Sequence, residues 1–256
     1  MKKRFLVILL ALCFYPFAAG ANLAISTFYV LFDAGSAKRT EVVRVTNNSN
    51  SQKVYRISLI NFKQNADGTY SEIEQPLPGN PFASPYIGFS PHETSLAPGQ
   101  TQTIRLVRRP MAAAADGEYV SHLLVRELPE KNKKEQTSNS GELKIDIKAL
   151  YGVTIPVIID KGNLHSSAAI SSASVNNKAE NPYASVNVKR NGTRSFWGNL
   201  IVKQGKKEIG RVNGFKIFMT TPDRQIKIPL SEKIVSGGQV ILEDARTNET
   251  ISSKNL

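Results

Sequence analysis

The sequence predicts an all-β protein built from two domains of the sandwich or barrel type. Short alternating or β-branched runs recur along the chain, among them KVYRISLINF, TQTIRLVRR and EYVSHLLVREL. Turn-forming residues separate these runs, and Pro98-Gly99 fits the central positions of a type II turn. No window shows the apolar spacing of an amphipathic helix for more than two turns. Short strands at even spacing, with turns between them, are typical of sandwiches and barrels.

The N-terminus has the pattern of an export signal. Lys2, Lys3 and Arg4 precede an apolar run over residues 5–17, which is too short to span a bilayer comfortably. Small residues follow and end at Ala21. We therefore expect residues 1–21 to be a signal peptide cleaved after Ala21, which implies an exported mature protein without stable membrane insertion.

The cysteine count and the charge narrow the possible functions. The only cysteine, Cys13, lies inside the predicted signal peptide, so the mature chain has no thiol for a disulfide, a metal site or a nucleophile. The chain carries 33 Lys and Arg against 21 Asp and Glu, and loss of three basic residues with the signal lowers the net charge from +12 to +9. This excess favours acidic partners. Nucleic acid is not expected, because the basic residues are scattered and their densest run, at 131–134, has no interleaved aromatics.

A change in residue composition and in the strand patterns after residue 159 indicates two domains. A polar break covers residues 160–163, and a segment rich in Ser, Ala and Asn follows it. Shorter and less apolar strand patterns then continue to the C-terminus. We expect a first domain over residues 22–159 and a smaller second domain over residues 160–256.

Catalytic patterns do not stand out. His92, His122 and His165 have no spacing that would bring two of them onto one metal ion. Within one strand His122 cannot pair with the adjacent Ser121, because neighbouring strand residues face opposite ways. There is also no phosphate loop, GxSxG or HExxH motif. We expect a protein that is not an enzyme, with no catalytic residue, metal or cofactor.

The segment LKIDIKALYGVTIPVII, residues 143–159, is the most distinctive run in the chain. Leu143, Ile145 and Ile147 alternate with charged residues, which predicts a strand with one apolar face. The preceding residues 131–141 are charged and polar, and we expect them to be mobile in the free protein. The pattern alone leaves two interpretations: the apolar row fills its own domain, or it is presented to a partner.

Several motifs together resemble one family. FDAG, VTNNS, SLAPGQTQTIRLVRRP, GEYVSHLLVRELP and LKIDIKALYGVTIPVII follow one another in the order found in the periplasmic pilus chaperones, the PapD-like family. VKRNGTRSFWGNLIV resembles a strand pair of its archaic, or alternative, branch. The resemblance covers nearly the whole mature chain. It implies two immunoglobulin-like β-sandwich domains in an L or boomerang arrangement.

The resemblance also implies a function. Family members bind pilin subunits in the periplasm, where each subunit is an incomplete sandwich that lacks its last strand. The chaperone lends its own strand G until an outer-membrane usher receives the subunit. A lent strand must offer backbone hydrogen bonds and alternate apolar side chains together. Leu143, Ile145 and Ile147 match that donor strand, and the protein is expected to be a monomer when free and 1:1 with a subunit.

The resemblance further implies an anchor for the subunit's C-terminal carboxylate, with Lys148 at the family's strand-G lysine. The family's second basic residue is missing: Phe28 and Tyr29 stand where one branch carries an arginine on the first strand, and Val120 stands where archaic relatives often carry one on strand F. His122, Tyr29 and Arg105 are the candidates to replace it. If the hairpin loop is centred near Lys134, Val120 falls opposite Ala149 and next to Lys148.

Two other functions remain compatible with the sequence. One is a PapD-like chaperone of an exported or surface protein that is not a pilin. The other is a plain immunoglobulin-like adhesive module, which needs neither a free donor strand nor a lysine in the cleft.

Overall fold

The computed structural model of the chain describes residues 22–33, 35–129 and 150–256. These residues form eighteen β-strands and one 3₁₀ turn, at Ser84–Tyr86. The first eleven strands are β1 (Leu23–Ile25), β2 (Val30–Phe32), β3 (Thr40–Asn47), β4 (Lys53–Ile60), β5 (Phe62–Gln64), β6 (Tyr70–Glu72), β7 (Ile87–Ser90), β8 (Glu93–Leu96), β9 (Thr101–Arg108), β10 (Gly117–Glu127) and β11 (Gly152–Lys161). The remaining strands are β12 (Ser166–Asn176), β13 (Tyr183–Gly192), β14 (Phe196–Gln204), β15 (Lys207–Ile217), β16 (Asp223–Pro229), β17 (Gly238–Asp244) and β18 (Thr250–Asn255).

The first eleven strands belong to one domain, and nine of them form the two sheets of what we call the first sandwich. One sheet has the strand order β1-β3-β9-β7 and the other β2-β11-β10-β4-β8. Alternate side chains from both sheets fill the space between them, with Val43, Ile104 and Leu123 inaccessible to solvent. The chain passes from one sheet to the other between β1, which pairs with β3, and β2, which pairs with β11. The hairpin β5-β6 stands apart from the two sheets.

The second sandwich contains β12 to β18. Its sheets have the orders β12-β13-β16 and β15-β14-β17-β18. Val186, Leu200 and Ile217 belong to a separate apolar core. β11 ends at Lys161 and β12 begins at Ser166, so only residues 162–165 connect the strands of the two sandwiches. The predicted all-β class with two immunoglobulin-like sandwiches is confirmed.

Local turn chemistry also agrees with the sequence. Gly99 has φ +73°, and the Gln100 N–H donates to the Ala97 carbonyl over 3.0 Å. This is the geometry of a type II turn, whose third position needs a positive φ that glycine adopts freely.

The side-chain alternation of β10 and β11 determines what lies between the two sandwiches. Odd-numbered residues such as Tyr119 and Ile155 point into the first core. Even-numbered residues therefore project from the opposite face, and Glu118 and His122 make their contacts with the second sandwich from there. One face of an antiparallel sheet is commonly exposed to solvent, but here the second domain partly covers that face of β10 and β11.

Candidate functional site: an open strand edge beside an interdomain cleft

One edge of β11 is only half paired. β10 runs along its full length, from Arg126 opposite Gly152 to Gly117 opposite Lys161. On the other side β2 pairs with it in parallel, but only over residues 157–159. Among the described residues, no strand covers that edge over residues 152–156. An open edge of this kind presents backbone N–H and C=O groups that another strand can pair with.

The open part of β11 keeps the alternation of an immunoglobulin-like strand. Val153 and Ile155 pack against the first core, whereas Thr154 and Pro156 face the second sandwich. Proline has no N–H, and Pro156 stands at the point where the pairing with β2 stops. Just before the strand, Tyr151 is 52% exposed. The open edge is therefore short, apolar on one side and bordered by an exposed aromatic ring.

A cleft of about 610 Å³ lies between the sandwiches, directly beside this edge. Its walls combine aromatic rings from both domains with two basic side chains from the second domain. The first sandwich contributes Phe28, Phe62, Tyr70 and His122 together with Thr154 and Pro156, and the second contributes residues 212–216, Phe218 and Arg224. A concave site with apolar walls and a few converging polar groups is typical of ligand sites.

His122 occupies the floor of the cleft as a neutral imidazole. Its ring packs edge-on against Phe62 and Phe218, with centroids 5.1 and 6.1 Å away. Burial, reinforced by the charge of Lys216, lowers the pKa of His122 to about 4. Its buried Nδ1 has no hydrogen-bond partner. At neutral pH this residue supplies ring contacts and a hydrogen bond rather than a positive charge.

Lys216 supplies the charge that His122 lacks. Its Nζ lies 4.6 Å from the Tyr29 ring centroid and 4.4 Å from that of Trp197, a double cation–π contact. Burial first, and then the charge of Arg246, lower the pKa of Lys216. No carboxylate of the described residues forms an ion pair with Lys216. A bound anion would favour the charged form of Lys216 and so oppose the effects of burial and of Arg246.

Arg224 adds a second cation to the cleft. Its Nη1 donates to the Lys216 carbonyl over 2.8 Å, which places the guanidinium next to that residue. The guanidinium lies so close to Gly68 that a Cβ there would come within 2.6 Å of it. Burial lowers the pKa of Arg224, and its buried Nε has no partner. Two desolvated cations with spare donors therefore line the cleft, and such groups are suited to bind a carboxylate.

A second set of charged residues joins the sandwiches on the same face of β10. Glu118 is buried and accepts hydrogen bonds from the Ser195 N–H, over 3.0 Å, and from the Ser195 hydroxyl. Asp160 stands opposite Glu118 in the ladder and lies 3.5 Å from Arg194. Burial is the main cause that raises the pKa of Glu118 to about 7, against the effect of the Ser195 hydrogen bonds. Glu118, Ser195, Asp160 and Arg194 thus form polar contacts between the two sandwiches.

The residues predicted from the sequence are distributed unevenly. His122 lines the cleft, and the charge of Lys216 acts on it. Tyr29 is not part of the cleft lining, but its ring contacts the Lys216 ammonium group. Arg105 does not lie at the cleft, because it is exposed on the outer face of the sheet that contains β9. The predicted donor residues and lysine, which are Leu143, Ile145, Ile147 and Lys148, lie outside the described residues, as do the signal peptide and residues 131–141.

The predicted register of the β10–β11 hairpin is wrong. Val120 stands opposite Ile158, not Ala149. The described ladder is centred on position 139, midway between the paired Arg126 and Gly152. An arginine at position 120 would therefore stand opposite Ile158.

Lys216, Arg224 and Glu118 are the site residues that the sequence did not reveal. Lys216 and Arg224 come from strands of the second domain, and only the packing of the two sandwiches brings them to β11. The one available signal was the string RSFWG, which contains Arg194, Ser195 and Trp197, but nothing in it named their partners.

Two further kinds of feature are absent from the described part of the chain. No cluster of three or more His, Cys, Asp and Glu residues there could hold a metal ion. None of its helical segments has the length and apolar character needed to cross a membrane.

Comparison with known proteins gives distant structural likenesses. No protein-family model and no curated protein sequence matches the chain. One chain of the CsuC–CsuE chaperone–tip adhesion subunit complex of Acinetobacter baumannii is 17% identical, with 90% of this chain and 97% of that chain covered and a TM-score of 0.49. The YadV chaperone is 13% identical, with 92% and 100% covered and a TM-score of 0.48. The CupB2 chaperone of Pseudomonas aeruginosa is 10% identical, with 91% and 98% covered and a TM-score of 0.47. At these values we draw no functional inference from the likenesses.

Proposed function

We propose that this protein is a periplasmic chaperone that completes the incomplete immunoglobulin-like sandwich of a pilin subunit by lending it a strand, and that it passes the subunit to an outer-membrane usher. The observation that carries the proposal is the unpaired edge of β11 over residues 152–156. An edge that stays open beside a paired one is the geometry on which strand addition depends. The motif order that resembles the pilus chaperones supports the same function.

We propose that the donor segment continues this edge toward the N-terminus. Leu143, Ile145 and Ile147 share the odd numbering of Val153 and Ile155, so an uninterrupted strand would keep them on one face. In the complex we propose that they fill the groove of the subunit. The exposed Tyr151 lies between the two groups and is available for the same surface.

The cleft provides the end point of the bound strand. We propose that Lys216 and Arg224 bind the subunit's terminal carboxylate, together with Lys148 if the extended donor strand brings it there. Charge-assisted hydrogen bonds in a partly dry cleft are among the stronger polar contacts. A fixed carboxylate also sets the register, because a slip of one residue would turn every apolar side chain to the wrong face.

The experiment that tests the proposal is amide hydrogen exchange on a purified 1:1 complex. The partner is a recombinant small immunoglobulin-like pilin subunit that lacks its last strand. We expect the outward-facing amides over residues 152–155 to become at least tenfold more protected in the complex. The amides of β10 serve as the control, since they are already paired in the free protein. A stable complex with an unchanged exchange rate at this edge would refute strand addition.

The anchor is tested by alanine variants and the subunit dissociation constant. Lys216→Ala and Lys148→Ala are each expected to weaken binding about tenfold or more, because each removes a charge-assisted contact to the carboxylate. Arg105→Ala is the matched control, since Arg105 lies on the outer face of the other sheet. If only Arg105→Ala weakens binding, the anchor has been placed on the wrong surface.

A further inference from the structure

Gln64 is a buried polar side chain of the first sandwich that reaches into the second. It is 1% exposed. Its Nε2 donates to the Lys216 carbonyl over 3.1 Å, and its Oε1 accepts from the Phe218 N–H over 3.0 Å. One side-chain amide thus forms hydrogen bonds with two backbone groups of the neighbouring domain. Without a partner, each of these buried groups would lower the stability of the folded protein.

These two bonds reproduce the pattern of strand pairing. A residue of a parallel neighbouring strand donates to the carbonyl of one residue and accepts from the N–H two residues further on. Gln64 does this with its side chain, against the end of β15. β15 is the outermost strand of its sheet, so its edge is free for such a contact.

The rest of the hairpin β5-β6 strengthens the attachment. The Gln64 backbone N–H donates to the Thr220 hydroxyl over 3.0 Å, and the Gln225 N–H donates to the Ala66 carbonyl over 2.7 Å. Gln64 also contacts the Tyr70 hydroxyl, 3.2 Å away, and the Tyr70 ring packs against Phe218. The hairpin therefore binds the segment of the second sandwich that begins at Lys216 through several hydrogen bonds and a ring contact.

The consequence concerns the position of the Lys216 ammonium group. The backbone carbonyl of Lys216 accepts hydrogen bonds from both Gln64 and Arg224. With the backbone fixed at this residue, the side chain extends between the rings of Tyr29 and Trp197. A charge acts selectively on a ligand only when its supporting contacts hold it in place.

We propose that Gln64 is the positioning residue of the cleft: by pairing with the edge of β15 it sets Lys216 for carboxylate recognition. The inference rests on the proposed carboxylate site and adds to it a residue from the opposite domain. It makes recognition of the terminus depend on the docking of the hairpin β5-β6. A loosened hairpin would weaken the preference for a carboxylate, although the rings of Tyr29 and Trp197, which lie outside the hairpin, still flank Lys216.

The test compares two small probes, N-acetylphenylalanine and N-acetylphenylalaninamide, by NMR titration of the mature protein. Wild type is expected to bind the acid about tenfold more tightly than the amide, because only the acid pairs with Lys216 and Arg224. Gln64→Met has a similar volume without the hydrogen bonds, and it is expected to reduce this preference to about twofold or less. Lys63→Ala, at an exposed position of the same strand, should keep the wild-type ratio.

A second variant and a structural readout keep the test decisive. Gln64→Asn retains the amide but is one methylene too short to bond both groups of β15, so it should behave as Gln64→Met does. Faster exchange of the Phe218 amide in either variant would report that the hairpin has lost this contact. A full acid preference in both variants would overturn the inference and leave the carboxylate site intact. Wild type without any preference would instead overturn the carboxylate site itself.

Discussion

The variants Glu118→Gln and His122→Phe are expected to show opposite pH dependences of the free energy of unfolding, whereas wild type should be nearly flat between pH 4.5 and 6.5. His122→Phe should lose about 3 kcal/mol as the pH rises from 4.5 to 7. Glu118→Gln should lose about 3 kcal/mol as the pH falls from 6.5 to 4. Urea unfolding at half-unit pH intervals measures both profiles.

The sign of the His122 contribution follows from its lowered pKa. Burial, and then the charge of Lys216, lower this pKa from its usual 6.5 to about 4. The unfolded chain therefore binds a proton at a pH where the folded protein does not. Stability from this residue is fully present above pH 6.5 and is lost as the pH falls through 4.

Glu118 has the opposite sign. Burial is the main cause that raises its pKa from 4.5 to about 7, and the neighbouring Asp160 adds to the shift. The folded protein then holds a proton that the unfolded chain has released. Its contribution is fully present below pH 4.5 and is lost as the pH rises through 7. Burial also raises the pKa of Asp160, so that residue acts in the same direction.

In wild type the pH dependences that His122 and Glu118 give to the free energy of unfolding oppose each other. Each substitution removes one of them. Glutamine keeps the bonds to Ser195, since its carbonyl accepts and its amide donates. Phenylalanine fits among the rings of Phe62 and Phe218, which already surround His122. Glu93→Gln, at an exposed position, is the control and should follow wild type. Both variants following wild type as well would show that neither group titrates in this way.

The sequence predicted the strands and the turns because these depend on local patterns. The alternation in residues such as Ile104 and Leu106, and the Pro98-Gly99 turn, are set by near neighbours. The β10–β11 register was missed, since a charged run marks a loop without fixing its centre. The cleft was missed for a different reason. Tyr29 and Gln64, which contact Lys216, lie more than a hundred residues away from it in the sequence, and only the docking of the two sandwiches brings them together.

The largest effect on binding is expected from the double substitution Leu143→Glu, Ile145→Glu, which should abolish complex formation with the subunit. In the proposed complex both side chains enter the apolar groove that the missing strand leaves. An unpaired carboxylate there costs several kcal/mol of binding free energy, so the dissociation constant should rise about a hundredfold or more. Isothermal titration with the purified subunit measures the change.

A matched control separates charge from position. Lys144→Glu changes the net charge by the same two units, but it has the opposite parity and points away from the groove. It should keep most of the affinity. Equal losses in Lys144→Glu and in the double variant would attribute the effect to net charge rather than to a row of buried side chains.

The same double variant decides between the two interpretations that the sequence pattern left open. If Leu143 and Ile145 serve the subunit, the free variant should unfold within a few degrees of wild type, because its own core is made by residues such as Val153 and Ile155. If they fill the first sandwich instead, two buried charges should lower the melting temperature far more than that. A folded variant that no longer binds is the outcome expected of a lent strand, and an unfolded variant would rule it out.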